Sequence, residues 1–122
     1  MKTKLHVIMI VQKLKKEVKG EIEMAVKYYS ILSVVNSLHF TIREIQLIAF
    51  TAVRGNITDV DLREEFCVLY ETTGPTINNI VSKLKKYGVF TKKDKKIVVN
   101  PVIVLDFKKD LFLAITLKNE TT

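Results

Sequence analysis

The hydrophobic pattern of the N-terminal third predicts one strand and one helix. A continuous apolar run at residues 5–11 is short enough for a buried strand. The charged residues that follow predict a basic connection, so we assign residues 1–20 to an N-terminal strand and connection. From 21 to 38 the apolar spacing is that of an amphipathic helix. Its expected core stripe is Ala25, Tyr28, Leu32, Val35 and His39, widened by Met24, Ile31 and Leu38.

Thr41 and Glu44 predict the start of a second helix at Ile42. In this capping-box pattern each side chain accepts a hydrogen bond from the backbone amide of the other residue. The segment 42–54 is apolar on nearly all sides, which is typical of a central helix. Gly55 follows it and is suited to a left-handed C-terminal cap.

A third helix is predicted to begin at Thr58 or Asp59 and to end near Leu69. Its expected core side consists of Val60, Phe66, Cys67, Leu69 and Tyr70. The acids of its first turns are Asp59, Asp61, Glu64 and Glu65. Acids at that end favour the helix dipole. No phosphate-binding glycine loop accompanies them, so a carboxylate pair for Mg²⁺ or acid–base chemistry is the weaker interpretation.

Residues 76–87 form a fourth, strongly amphipathic helix, with Pro75 at its expected first position. Its apolar stripe is Ile77, Ile80, Val81, Leu84 and Tyr87. Its polar outer face is Asn78, Asn79, Ser82, Lys83, Lys85 and Lys86. After Gly88, the runs 89–91 and 97–99 are rich in β-branched and aromatic residues, and they flank a lysine-rich turn at 92–96. This pattern predicts a two-stranded hairpin.

The C-terminal segment 101–122 is expected to form a further β-hairpin. Residues 102–107 are apolar except for Asp106, 108–110 are polar, and 111–117 continue as a second, mainly apolar run. Such a hairpin is too apolar to be left uncovered, so it pairs with strand 5–11 or covers a partner's edge. The predicted fold class is therefore α+β, with extra terminal strands.

The composition is that of a single domain with a localised basic region. At 122 residues and 48% hydrophobic, the chain 1–122 can bury one core. The net charge is +7, and residues 75–96 alone carry seven lysines against one aspartate. Localised positive charge favours a polyanionic partner, while a solvated lysine face is the simpler alternative. Lysine outnumbers arginine seventeen to three, which indicates an AT-rich bacterial, plasmid or phage source.

The sequence predicts neither an enzyme nor a metal or cofactor site. The lone Cys67 allows no intramolecular disulfide, and His6 and His39 have no partnering acid nearby. No serine or cysteine is paired with a histidine, and there is no nucleotide-binding loop. The apolar run 5–11 is too short to span a bilayer, so we expect a cytoplasmic protein with no membrane partner.

The segments TINNIVSKLKKYGVF and KIVVNP resemble those of winged helix-turn-helix proteins. The similarity is to multiple-antibiotic-resistance-type regulators and to Firmicute plasmid and phage replication initiators. It implies a winged helix-turn-helix core at 41–100, with three to four helices and a β-wing. It also implies that helix 76–87 enters the major groove and that Lys92 to Lys96 lie against the DNA backbone.

The leading hypothesis is a small transcriptional regulator or replication initiator, of plasmid or phage type, that binds duplex DNA. The residues expected to face base edges are Thr76, Asn78, Asn79, Ser82 and Lys83. The residues expected to bind phosphates are Lys85, Lys86, Lys92, Lys93, Lys95 and Lys96. The alternative is a phage-type assembly protein that docks other proteins through its terminal strands. A homodimer through helix 21–38 or the terminal strands stays open.

Overall fold

The computed structural model describes residues 20–120 and confirms the predicted α+β class. The helices in this range are α1 (Glu21–Val35), α2 (Ile42–Arg54), α3 (Val60–Tyr70) and α4 (Gly74–Lys86). Strands β1 (Phe90–Lys93) and β2 (Lys96–Val99) form an antiparallel sheet, and a 3₁₀ turn follows at Pro101–Ile103. This layout is compatible with a winged helix. The predicted strand 5–11 and the basic connection after it lie outside the described residues.

Helix α2 is the centre of the core, as its sequence predicts. Its capping box is present: the Thr41 amide donates to Glu44 Oε1 at 2.8 Å, and the Glu44 amide donates to Thr41 Oγ1 at 3.2 Å. The helix ends at Gly55, whose φ of 107° is the positive value that glycine tolerates best. Helices α1, α3 and α4 and strand β2 all contact α2. Elements on every side of α2 therefore share one core.

Aromatic side chains join α2 to α3. Phe50 and Phe66 are fully buried, and their ring centroids lie 5.3 Å apart in an edge-to-face arrangement. The ring of Tyr70 is 4.8 Å from that of Phe66. Such pairs stabilise a core beyond the area that they bury.

The predicted core stripe of α1 is partly wrong. The buried residues are Ala25, Tyr29 and Ser33, whereas Val35 is 49% exposed. The two polar side chains can be buried because their hydroxyls are satisfied. Tyr29 Oη donates to the carbonyl of Ile103 at 2.7 Å. Ser33 Oγ accepts from the backbone amide of Phe40 at 3.0 Å. His39, the end of the predicted stripe, is exposed and has a φ of 56°.

The predicted core side of α3 is also partly wrong. Phe66 is buried, and Cys67 and Tyr70 are partly buried, as expected. Val60 and Leu69, by contrast, are 68% and 52% exposed. The helix turns only one stripe toward α2, so residues on its flanks reach solvent.

The predicted C-terminal β-hairpin is wrong, because residues 101–120 contain no strand. The side chain of Asn100 accepts from the amide of Val102 at 3.1 Å, and the amide of Ile103 donates to the carbonyl of Asn100. Asp106 accepts the amides of the next two lysines in the same way. These local turns use the donors that a ladder would need. Phe107 is buried against Tyr28 and Tyr29 and fixes the segment to α1.

The predicted hairpin after α4 is confirmed, and we call β1, β2 and their turn the wing. Phe90 pairs with Val99 at its base, where both side chains are buried. The loop before α3 also binds the wing: the amide of Ile57 donates to the carbonyl of Ile97 at 3.0 Å, and the Ile97 amide donates to Thr58 Oγ1 at 2.7 Å. The wing is therefore fixed to the helical core along β2.

Candidate functional site

Helix α4 packs on the core through one apolar stripe, and a capping motif is present at each of its ends. The predicted stripe is confirmed for its four buried members, Ile77, Ile80, Val81 and Leu84. The helix begins at Gly74, two residues before the predicted start, because Thr73 caps it and accepts from the amide of Thr76 at 3.5 Å. Tyr87, the last residue of the predicted stripe, is 52% exposed and packs edge-on against Phe40.

Gly88 lies in the short connection between α4 and the wing. Its amide donates to the carbonyl of Lys85 at 3.1 Å, and the amide of Val89 donates to the carbonyl of Leu84 at 3.0 Å. These two bonds, with φ of 75° at Gly88, form a Schellman cap. Only three residues separate the last turn of α4 from β1. The outer face of the helix and the wing therefore belong to one rigid unit.

The outer face of α4 carries one fully exposed row. Asn79, Ser82 and Lys86 are exposed, and their spacing of three and four residues places them on one line along the helix. Thr76 lies on a flank and is partly buried, with its hydroxyl 3.1 Å from that of Thr73. Of the five predicted base-facing residues, Asn79 and Ser82 thus lie in this row. The other three, Thr76, Asn78 and Lys83, lie beside it.

Asn78 is exposed, but its acceptor oxygen is already occupied. Arg63 Nη1 donates to Asn78 Oδ1 at 2.7 Å, while Arg63 Nε donates to the carbonyl of Ile57 at 2.9 Å. Since arginine can only donate, the atom that it contacts must be the amide oxygen. Asn78 therefore presents chiefly its NH₂ group to an outside ligand. No local pattern in the sequence predicts this contact, because the two residues are on different helices.

Lys83 is bound to Glu44 of α2. Its Nζ lies 2.8 Å from Glu44 Oε2, and 5.9 Å from the centroid of the Phe40 ring. Glu44 Oε1 belongs to the capping box, so both carboxylate oxygens have partners. The ion pair raises the pKa of Lys83. Lys83 therefore links α4 to α2 in this structure, and its predicted contact with a base edge would compete with this ion pair.

Glu44 is expected to stabilise the fold in a pH-dependent manner. Burial alone raises the pKa of its carboxyl, but the hydrogen bonds from Lys83 and Thr41 outweigh that effect and lower it. Because the pKa is lower in the folded protein than in the unfolded chain, the stabilisation is present above about pH 4.3 and is lost as pH falls through the folded-state pKa.

We expect Glu44→Gln to lower the free energy of unfolding by about 1–3 kcal/mol at pH 7, since a hydrogen-bonded charge is removed. The difference from the unsubstituted protein should shrink below pH 4 in urea denaturation. Glu64→Gln is the matched control, because Glu64 is exposed and has no hydrogen bond or ion pair within residues 20–120. If Glu44→Gln lowers the free energy of unfolding equally at pH 7 and pH 3, the stabilising role of the Glu44 carboxylate is contradicted.

The wing carries four lysines, and one of them is in an ion pair. Lys96 Nζ lies 3.0 Å from Asp59 Oδ1, and this contact is the largest cause of the lowered pKa of Asp59. Lys93 pairs directly across the ladder with Lys96. Like charges in that position repel, and Asp59 offsets the repulsion. Lys96 thus fixes the wing to the start of α3, in addition to its predicted role toward phosphates.

The tip of the wing is narrower than the predicted turn at 92–96. Only Asp94 and Lys95 connect the strands, with φ of 52° and 67°. Two consecutive positive φ values are the signature of the tight hairpin turn that favours Asn-Gly. A lysine in the second position is conformationally unfavourable, but it projects a charge at the extremity of the wing.

Five lysines of this unit are exposed and make no ion pair within residues 20–120. They are Lys85, Lys86, Lys92, Lys93 and Lys95. All five belong to the predicted phosphate-binding set. The structure therefore leaves a basic strip along the end of α4 and the wing, next to the exposed row of α4.

No group of three potential metal ligands occurs among the described residues. Cys67 is a partly buried free thiol, and His6 lies outside the described residues. None of the described helices is long and apolar enough to cross a membrane.

Comparison with protein families, with curated proteins and with solved structures finds no match to this chain.

Proposed function

We propose that the protein binds duplex DNA as a winged helix-turn-helix protein, with α4 as the recognition helix and the wing against the flanking backbone. One observation carries the proposal. The exposed row of Asn79, Ser82 and Lys86 is joined through Gly88 to a wing with three exposed lysines that make no ion pair within residues 20–120. Polar side chains beside clustered cations are the two components that a DNA surface requires.

The basic strip would supply most of the affinity. Each lysine that neutralises a phosphate releases condensed counterions, and this term does not depend on base sequence. Lys83 and Lys96 are held by Glu44 and Asp59, so they contribute less than the five lysines of the strip. The acids of these two pairs are Glu44 of α2 and Asp59 at the start of α3.

The central row of α4 would supply base recognition. The Asn79 amide has both its oxygen and its NH₂ group available, which is what a two-point contact to adenine needs. Arg63 already occupies one acceptor position of Asn78 Oδ1, so Asn78 is better suited to donating from its NH₂ group to a phosphate. The proposal therefore ranks Asn79 above Asn78 as a determinant of sequence preference.

Selection of bound duplexes from a random DNA pool at moderate salt tests the proposal, and we expect one motif to be enriched. Asn79→Ala should lose a preference for one adenine, at a cost of about 1–3 kcal/mol in discrimination. Asn78→Ala is the matched control on the same helix and should keep the motif. No duplex retained at 50 mM salt would contradict DNA binding. An unchanged motif for Asn79→Ala would contradict its assigned role.

The proposed biological role is a small plasmid- or phage-type transcriptional regulator or replication initiator. A homodimer would place two copies of α4 in successive major grooves, and a palindromic selected motif would support it. The alternative role, docking of another protein, no longer has the C-terminal strand on which it was partly based. The observation in its favour is a strongly exposed apolar tail, with Phe112 at 92% and Leu117 at 91% exposure.

A further inference from the structure

Arg63 is a partly buried cation whose two hydrogen bonds both go to neutral acceptors. Its Nε donates to the carbonyl of Ile57 at 2.9 Å, and its Nη1 donates to Asn78 Oδ1 at 2.7 Å. The guanidinium makes no ion pair within residues 20–120. These bonds use two of the five N–H donors of an arginine. The positive charge and the remaining donors are therefore available to an anionic ligand.

The acids of α3 do not neutralise this charge. Three of them are turned by about 100–160° away from Arg63 around the helix axis, at about 100° per residue. They are Asp61, Glu64 and Glu65. Asp59 lies one turn before Arg63 on the same side, but its carboxylate is 3.0 Å from Lys96 Nζ. The nearest acid is thus already paired with another cation.

Arg63 also determines which part of the Asn78 amide faces outward. The amide oxygen accepts from the guanidinium, so the NH₂ group is the part left for a ligand. Asn78 is exposed, and its NH₂ group makes no hydrogen bond within residues 20–120. The two side chains therefore present adjacent N–H donors, one set charged and the other neutral. A phosphate has only acceptor oxygens and a negative charge, and it complements such a pair.

The pair lies on the side of α4 where the loop before α3 meets the wing. The Ile57 carbonyl accepts from Arg63, and the Ile57 amide donates to the carbonyl of Ile97 in β2 at 3.0 Å. Lys85 is seven residues beyond Asn78, which is nearly two helical turns, so it projects from the same side of α4. The pair, Lys85 and the wing thus follow one side of the exposed row.

We propose that Arg63 and Asn78 together bind one phosphate of the DNA backbone beside α4. This inference rests on the proposed DNA binding and adds a phosphate contact that comes from α3. The guanidinium is already held by the Ile57 carbonyl, so little side-chain freedom is lost when the phosphate binds. Phosphate contacts fix the position of a protein on the duplex and carry no base information. The pair therefore contributes to affinity and leaves base preference to the exposed row.

Duplexes in which one phosphate at a time is replaced by an uncharged methylphosphonate test the proposal. They carry the motif enriched in the random-pool selection, and anisotropy measures their affinities. We expect Arg63→Gln to weaken binding to the unmodified duplex by on the order of 10-fold. At one phosphate, the methylphosphonate should weaken binding by the unsubstituted protein but have little further effect on Arg63→Gln.

Two more variants locate this contact. Asn78→Ala should reduce the effect of the methylphosphonate at the same phosphate. Lys85→Gln is the matched control, because it removes a cation from the same side of α4, and it should leave the effect at that phosphate unchanged. A purely structural role of Arg63 would weaken binding to every duplex by the same factor and would be coupled to no single phosphate.

The outcomes separate this inference from the proposed function. If the unsubstituted protein binds the duplex but Arg63→Gln is coupled to no phosphate, or to one that Asn78→Ala does not affect, the inference is wrong. If the unsubstituted protein binds no duplex, the proposed function fails and the inference fails with it. If Arg63→Gln does not fold, Arg63→Lys replaces it, because lysine keeps the charge but lacks the planar set of donors. An undiminished effect at that phosphate in Arg63→Lys counts against the inference.

Discussion

Replacing Lys86, Lys92, Lys93 and Lys95 with glutamine is expected to weaken binding to duplex DNA by on the order of 10³-fold at 0.1 M salt. The magnitude follows from counterion release, since each phosphate contact contributes a slope of about 0.9 to the dependence of log K on log salt. All four side chains are exposed and make no ion pair within residues 20–120, so their removal should leave the fold intact. Fluorescence anisotropy with a labelled duplex measures the effect.

The control for this variant removes the same charge elsewhere. The lysines to be replaced by glutamine are Lys27, Lys108, Lys109 and Lys118. They lie on α1 and in the C-terminal segment, so we expect a much smaller loss of affinity. Equal losses in the two variants would show that net charge alone accounts for binding. That result would contradict a localised DNA surface on α4 and the wing.

Phe66→Ala is expected to lower the free energy of unfolding by about 3–5 kcal/mol, because it leaves a cavity between α2 and α3. Phe66 is fully buried, and its ring packs against those of Phe50 and Tyr70. The typical total stability of a domain is about 5–15 kcal/mol, so a large part of it would be lost. Urea denaturation measures the change, and Phe66→Leu provides a milder substitution if the alanine variant does not fold.

Val68→Ala is the matched control, two residues further along the same helix. Val68 is 82% exposed, and a surface substitution of this kind usually changes stability by less than about 0.5 kcal/mol. A cost at Val68 similar to that at Phe66 would contradict the orientation of α3.

Signals that involve a few adjacent residues predicted much of this fold. The capping box at Thr41 and Glu44 places the start of α2 correctly, because both of its hydrogen bonds are local. The stop at Gly88 is equally local, since it depends on one positive φ value. The wing follows from two short β-rich runs around a polar turn. In each case the sequence contains the donor, the acceptor and the required backbone conformation within a few positions.

The contacts at the site that the sequence does not predict join distant segments of the chain. Glu44 and Lys83 are 39 positions apart, and nothing in the pattern of either helix indicates that they form an ion pair. The contact of Arg63 with Asn78 likewise requires the packing angle of α3 on α4. Amphipathic spacing identifies the polar face of α4, but it cannot distinguish a side chain facing solvent from one facing a neighbouring helix.

The C-terminal segment shows why composition alone predicts strands poorly. Residues 102–104 are apolar and β-branched, yet a strand needs a partner whose backbone is free. Asn100 and Asp106 direct the nearby amides into local turns, and Tyr29 takes the carbonyl of Ile103. Phe107 then packs on α1. Side-chain hydrogen bonds and one aromatic anchor thus outweigh the β-propensity of the segment.

The salt dependence of duplex DNA binding tests the central proposal most directly. If the five lysines of the basic strip each neutralise one phosphate, log K plotted against log salt should have a slope of about −4.5. The measurement requires the unsubstituted protein, one labelled duplex and an anisotropy titration between 50 and 300 mM salt. A slope near −4.5 is the result that we predict. A flat response, or no binding at the lowest salt, would contradict the assignment of α4 and the wing as a DNA-binding surface.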